Sequence, residues 1–169
     1  SILNQTSKEE YLREIKEIID KSTFTYVRQK QMLGLGDAIL TGKSLIGDEA
    51  FAVILADDLC DYVETNVLSK MIEIYSQYNC SVIAVQELPM NQINQYGVVS
   101  GDFINEDKSI YKVTNMIEKP EEKNAPSNLA VIGRYILTPD IFDILKKTAP
   151  DKNGEVQLEL ELDHFILNI

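Results

Sequence analysis

Histidine is nearly missing from this chain of 169 residues, which carries only His164, between Asp163 and Phe165. Serine–histidine catalysis and zinc ligation by histidines therefore have little to work with. The two cysteines, Cys60 and Cys80, are not spaced like metal ligands, and free buried thiols are expected. No apolar run approaches the length of a membrane span, and no signal-peptide pattern stands at the N-terminus. The default expectation is a cytoplasmic protein that binds no membrane. Positive charge is also scarce: 16 Lys and Arg face 27 Asp and Glu, a formal net charge of −11. Without a basic stripe, nucleic acid is not an expected partner. Small phosphorylated ligands are still compatible, because a few local cations and backbone N–H groups suffice to hold them.

The length supports one domain with a real core, and no repeat, low-complexity tract or linker divides it. Apolar residues Tyr11, Leu12, Ile15, Ile18 and Ile19 recur at helical spacing and predict an amphipathic helix over about 7–21. Phe24 to Arg28 reads as a short strand. A helix follows the Gly34/Gly36 loop through about Lys43. Phe51–Leu55 and Ser81–Val85 are almost continuously apolar, as strands buried on both faces are, which points to a parallel or mixed central sheet. Between them Val67, Leu68, Met71, Ile72 and Tyr75 form a second helical stripe. Further strands are expected over 97–99, 110–116 and 129–137, with turns at 105–107 and 125–128 and a helix opened by Pro139. Strands alternating with helices predict α/β layering, a mixed central sheet flanked by helices.

Five groups of residues carry candidate chemistry. Asp57 and Asp58 close an apolar strand, the end of an open α/β sheet at which ligands bind. Mg²⁺ often uses only one or two carboxylates plus substrate phosphates, so Asp57 suits a metal ligand, and equally a cap for the next turn. Gly34 and Gly36 allow a flat or phosphorylated ligand to approach the backbone, and equally make a tight turn before a helix. The Gln29 amide, donor and acceptor together, suits a pyrimidine edge, and equally solvent. In Glu118-Lys119-Pro120, the carboxylate can accept from sugar hydroxyls and the ammonium can neutralise a phosphate, while a surface ion pair beside a turn has the same composition. Gly97, where a strand begins, permits close approach of a sugar or makes a bulge.

Taken in order, these blocks resemble the bacterial UTP–glucose-1-phosphate uridylyltransferase (UDP-glucose pyrophosphorylase) family over most of the chain. Arg28-Gln29 with Gly34-Leu35-Gly36, Phe51 to Asp58, Tyr96-Gly97-Val98-Val99, Ile117 to Pro120, Gly154 to Leu158 and above all Ala125-Pro126-Ser127-Asn128-Leu129-Ala130-Val131-Ile132-Gly133-Arg134-Tyr135 carry the likeness. The resemblance implies a Rossmann-like nucleotidyltransferase fold with a nucleotide-side half over about 1–85 and a sugar-side half over about 86–158. It implies Mg²⁺ and the conversion of UTP and glucose 1-phosphate to UDP-glucose and pyrophosphate, feeding carbohydrate metabolism and polysaccharide biosynthesis. By the same resemblance Gln29 and Gly34 meet uracil, Asp57 ligates Mg²⁺, Gly97 and Glu118 meet glucose, Lys119 meets the sugar phosphate, and Val131 lines the sugar pocket. Catalytic roles fall to Asp57 and Lys119. Two other readings stand beside it: a dTDP- or CDP-glucose pyrophosphorylase, and a noncatalytic remnant or binding module that keeps part of the pocket.

The chain departs from the family at its ends. The family's N-terminal strand with its Gly-rich, Arg- and Lys-containing loop would precede Ser1, and a segment with another metal-binding Asp would follow Ile169. The expectation is a fold truncated at both ends, of weak or no activity alone, with apolar edges open to homo-oligomer formation. Val156, Leu158, Leu160 and Leu162 alternate with polar residues, a strand period where the family has a helix.

Overall fold

A computed structural model describes residues 5–60, 66–104, 106, 109–158 and 165–168, with 5–7 and 165–168 described through their backbone. The chain divides into two compact units, Ser1–Lys30 and Gln31–Ile169. In the first, α1 spans Gln5–Asp20. Its end is closed by Ser22, whose hydroxyl donates to the Ile18 carbonyl at 2.7 Å and whose N–H donates to Ile19 at 3.1 Å. The strand expected over Phe24 to Arg28 does not form. A strand needs a neighbour to take its backbone hydrogen bonds, and among the described residues no strand pairs with this segment.

The second unit is built on a mixed six-stranded sheet of β1 (Phe51–Ile54), β2 (Val82–Glu87), β3 (Gly97–Phe103), β4 (Ile110–Glu118), β5 (Leu129–Leu137) and β6 (Phe165–Asn168). The order is β1-β5-β2-β6-β4-β3, with β3 also touching β5. Only β2 and β6 pair in parallel; the other ladders are antiparallel. The helices are α2 (Leu35–Thr41), α3 (Lys43–Ile46), α4 (Val67–Tyr78) and α5 (Ile141–Leu145).

Alternation along β2 and β5 separates two cores. Ile83, Val85, Val131, Tyr135 and Leu137 pack with Ile39 of α2 and with Ile141, Phe142 and Leu145 of α5. Val82, Ala84, Ile132 and Ile136 pack with Val67, Met71 and Ile74 of α4. Odd and even residues of a strand face opposite ways, so both faces of these two strands are covered by helices and the α/β layering holds. Their unbroken apolar runs follow directly.

Local differences have local causes. β1 is not buried on both faces: Ile54 is 55% exposed, because among the described residues the cluster formed by α4 takes in β2 and β5 but no residue of β1. In α4 the inward stripe runs through Val67, Met71 and Ile74, a 4–3 spacing that leaves Ile72 exposed. The helix expected through Lys43 breaks at Gly42, which ends α2 and begins α3. Neither cysteine is in a disulfide, and both are half-buried rather than buried. His164 and most of the alternating tail lie outside the described residues, as do two residues of the turn at 105–107.

Candidate functional site

The site begins where one edge of β5 changes partner. β1 covers Arg134 to Leu137 and β3 pairs at Ala130, end to end along the same edge, with β2 on the other. Beyond the last β1 pair, the Leu55 N–H still reaches the Gly133 carbonyl at 2.9 Å, and the chain then turns away through Ala56 and Asp57. β3 starts at Gly97 just past this gap. Both strands expose an end there, and a cleft of about 480 Å³ opens between them.

Asp57 and Asp58 line it from the turn after β1, and Gln95, Tyr96 and Gly97 line it from the entry to β3. Met116, Glu118 and Lys119 come from the end of β4, and Val131, Gly133 and Tyr135 from alternate positions of β5. Glu155, Gln157 and Leu158 close one side. Thus Asp57, Gly97, Glu118, Lys119 and Val131 share one cleft. Gly34 is not among its lining residues, although its neighbour Leu35 is. Gln29 belongs to the other unit.

The meeting of Glu118 and Lys119 requires a break in strand geometry. A continuing strand would send them to opposite faces. Lys119 instead adopts a left-handed conformation, φ 45°, and its N–H is held by the Tyr96 carbonyl at 3.0 Å. Such a conformation costs a non-glycine residue about 1 kcal/mol or more. Pro120 prevents the strand from resuming by removing the next ladder donor. The result puts the Lys119 ammonium 3.5 Å from Glu118 Oε1. Opposite Glu118 in the ladder stands Gly97, where an added Cβ would lie 3.1 Å from Glu118 Oε2. Glycine there leaves the carboxylate room over the backbone.

The Gly34/Gly36 loop shows a different use of glycine from ligand approach. Val156 N–H donates to Leu33 O at 2.7 Å and Gly36 N–H donates to Val156 O at 2.9 Å. A Cβ at either glycine would stand 2.8 Å from that Val156 oxygen, so the small residues admit the chain's own backbone. The Val156 segment is itself fixed by Asp151. Its Oδ1 accepts the N–H groups of Asn153 and Glu155, and its Oδ2 accepts from the Gln157 amide at 3.0 Å. These bonds, the Gln157 one foremost, hold the Asp151 carboxyl below the usual carboxylate range.

Tyr135 carries a signal that motif reading passed over. It is 7% exposed, and among the described residues its hydroxyl has no hydrogen-bond partner. Buried phenols usually have one, which marks this hydroxyl as available to a ligand in the cleft. Burial, then the nearby Glu118 and Asp58 charges, push its pKa up to about 12. The available signal was the period of β5: Val131, Gly133 and Tyr135 must share a face. Raised above the ordinary value near 10, this pKa favours the neutral phenol in the fold. Its contribution to stability is complete below pH about 10 and declines as pH rises toward 12. In an alkaline titration at 295 nm, one of the eight tyrosines is expected to ionise near 12, and Tyr135→Phe should remove that step. Loss of a different step would contradict the assignment.

A cleft at strand ends is where α/β sheets bind ligands, and the chain belongs to the nucleotidyl transferase family, whose profile matches residues 1–165. It is similar to the UTP–glucose-1-phosphate uridylyltransferase of Pseudomonas aeruginosa PAO1, 54% identical over 92% of this chain and 56% of that one. The enzyme of the same name from Mycoplasma pneumoniae is 44% identical over 97% of this chain and 56% of its own. A crystal structure of UDP-glucose pyrophosphorylase complexed with UDP-glucose superposes with a TM-score of 0.91 at 48% identity, covering 96% of this chain and 64% of that one. The UTP-bound enzyme from Acinetobacter baumannii gives a TM-score of 0.80 at 33% identity, over 99% of this chain and 60% of its own. The chain spans a little over half the length of the curated relatives it matches. Among the described residues no helix is long and apolar enough to cross a membrane.

Proposed function

We propose that this chain carries the sugar-nucleotide cleft of a UTP–glucose-1-phosphate uridylyltransferase. The observation that supports this most is the convergence of Asp57, Gly97, Glu118, Lys119 and Val131 on one cleft, in a chain similar to such enzymes. An oxygen of the glucose 1-phosphate attacks the α-phosphorus of UTP in line. A P–O bond forms there, the bond to the β-phosphate oxygen breaks, and pyrophosphate leaves. No covalent intermediate on the protein is required, so the work is positioning and charge stabilisation.

The residues divide that work by chemistry. Glu118 accepts hydrogen bonds from sugar hydroxyls, Gly97 lets the ring approach the backbone, and Val131 supplies an apolar wall. The Tyr135 hydroxyl donates into the cleft. Lys119 neutralises the sugar phosphate as a compact point charge. The donor set suits Mg²⁺. Asp57 offers hard oxygen with Asp58 beside it, and among the described residues no cluster of three or more His, Cys, Asp or Glu forms a closed cage. An ion that takes one or two carboxylates and completes its shell with phosphates fits such a set. When bound, Mg²⁺ offsets phosphate charge. The uracil contacts assigned to Gln29 and Gly34 rest on the sequence resemblance alone. A cytoplasmic location and a place in polysaccharide biosynthesis go with this reading.

Ligand binding tests the cleft directly. Calorimetry should show UDP-glucose binding with Mg²⁺, in preference to dTDP-glucose and CDP-glucose. Lys119→Ala should weaken UDP-glucose roughly tenfold, the worth of a charge-assisted contact, and leave uridine nearly unchanged. Equal losses for both ligands would remove Lys119 from the sugar phosphate.

A further inference from the structure

We propose that Arg134 is the positioning residue for the Asp57–Asp58 turn, acting from the face of β5 opposite the cleft. The functional half of this inference rests on the reading of the cleft given above. The β1–β5 ladder ends at the Ile54–Arg134 pair. Past that pair the turn has no strand to satisfy its carbonyls. The guanidinium takes over this task. Its Nη1 donates to Leu55 O at 3.0 Å and to Gly133 O at 2.9 Å, and its Nη2 donates to Asp58 O. One planar group thus ties together the first and last residues of Leu55-Ala56-Asp57-Asp58.

Arginine suits the task for three reasons. Its donors are set in a fixed fork, it does not lose its proton, and its charge offsets the repulsion between two adjacent carboxylates. A lysine brings the charge but only one nitrogen. Placement separates positioning from direct contact. Gly133 and Tyr135 line the cleft, whereas Arg134, between them, opens into a separate hollow of about 200 Å³ beside Cys60 and Asn66. Arg134 therefore reaches the cleft only through the turn it holds. The Leu55 and Asp58 carbonyls are directed at the guanidinium, while Asp57 and Asp58 line the cleft and Asp58 Oδ2 lies beside the Cβ position of Gly133.

The test uses the whole chain with Arg134→Met and Arg134→Lys, read by hydrogen exchange and by calorimetry with UDP-glucose. In Arg134→Met, amide exchange across residues 55–58 should rise about tenfold while α4 and β2 exchange as in the wild type. The gain in UDP-glucose affinity that Mg²⁺ produces should fall about tenfold, as when a residue that orients a metal ligand is removed. Arg134→Lys should recover less than half of that gain. Unchanged exchange at 55–58, a rise spread evenly over the fold, or full rescue by lysine would each overturn the proposal. If Arg134→Met does not fold, Arg134→Lys carries the same two readings. If the wild type binds UDP-glucose without any response to Mg²⁺, the reading of the cleft fails, while the exchange pattern still decides whether Arg134 holds the turn.

Discussion

Gly133→Ala is expected to cost about 3 kcal/mol of folding stability, roughly 6–12 °C in melting temperature for a chain of this size. Two penalties combine. Gly133 sits at φ 45°, a backbone conformation that residues with a Cβ avoid. The new methyl would also stand 2.5 Å from Asp58 Oδ2, 3.0 Å from Leu55 Cβ and 3.1 Å from Asp58 Cβ. The carboxylate can swing aside, but the two Cβ atoms move only if the whole turn moves. Thermal unfolding checks the first part of the prediction. The second part is a weakened Mg²⁺ effect on UDP-glucose affinity in the folded variant, because the displaced turn carries Asp57. A melting temperature equal to the wild type would show that the turn yields freely and is not a fixed platform.

Asp57→Ala should abolish the Mg²⁺-dependent gain in UDP-glucose affinity, so that the ratio of affinities with Mg²⁺ and with EDTA falls to about 1. The sign of the EDTA arm separates this from simple damage. On the proposed reading the variant removes a negative charge beside the diphosphate, so affinity in EDTA should hold or rise slightly. Damage to the fold would lower both arms together. Asp57 is exposed at the end of a short turn, and its loss removes no core contact. Circular dichroism should therefore be unchanged. A normal Mg²⁺ response in this variant would take the metal role away from Asp57.

These two residues also show how much could be read in the chain before its fold was seen. Asp57 was visible because an acidic residue after an apolar run is a pattern of residue types. Gly133 stood inside a motif, yet nothing in its neighbours announced that a carboxylate from a segment 75 positions earlier would occupy the space of its side chain. Apolar runs were reliable where the strand is central, as in β2 and β5. The same pattern misled at β1, because composition does not record how far a covering helix extends over the sheet. Lys119 illustrates a further limit. Its left-handed backbone, which brings it beside Glu118, is set by the Tyr96 carbonyl and by Pro120, and only the proline could be read locally. Gly34 and Gly36 were read as room for a ligand or as a tight turn, and the segment that comes close in the fold, around Val156, lies some 120 residues on. Phe24 to Arg28 has strand-forming residues, and propensity alone could not supply a partner.

β5 supports the turn of Asp57 at one end of a single edge and the entry of Gly97 nearer the other, while its opposite edge is locked to β2. The wall of Asp57 and the wall of Gly97 therefore hang from one rod rather than from two bodies joined by a hinge. Spreading them would mean breaking the pairing of β1 or of β3 with that edge. On the proposed reading of the cleft, a guest entering this space meets walls held by one strand, and little of its binding energy is diverted to rearranging the host.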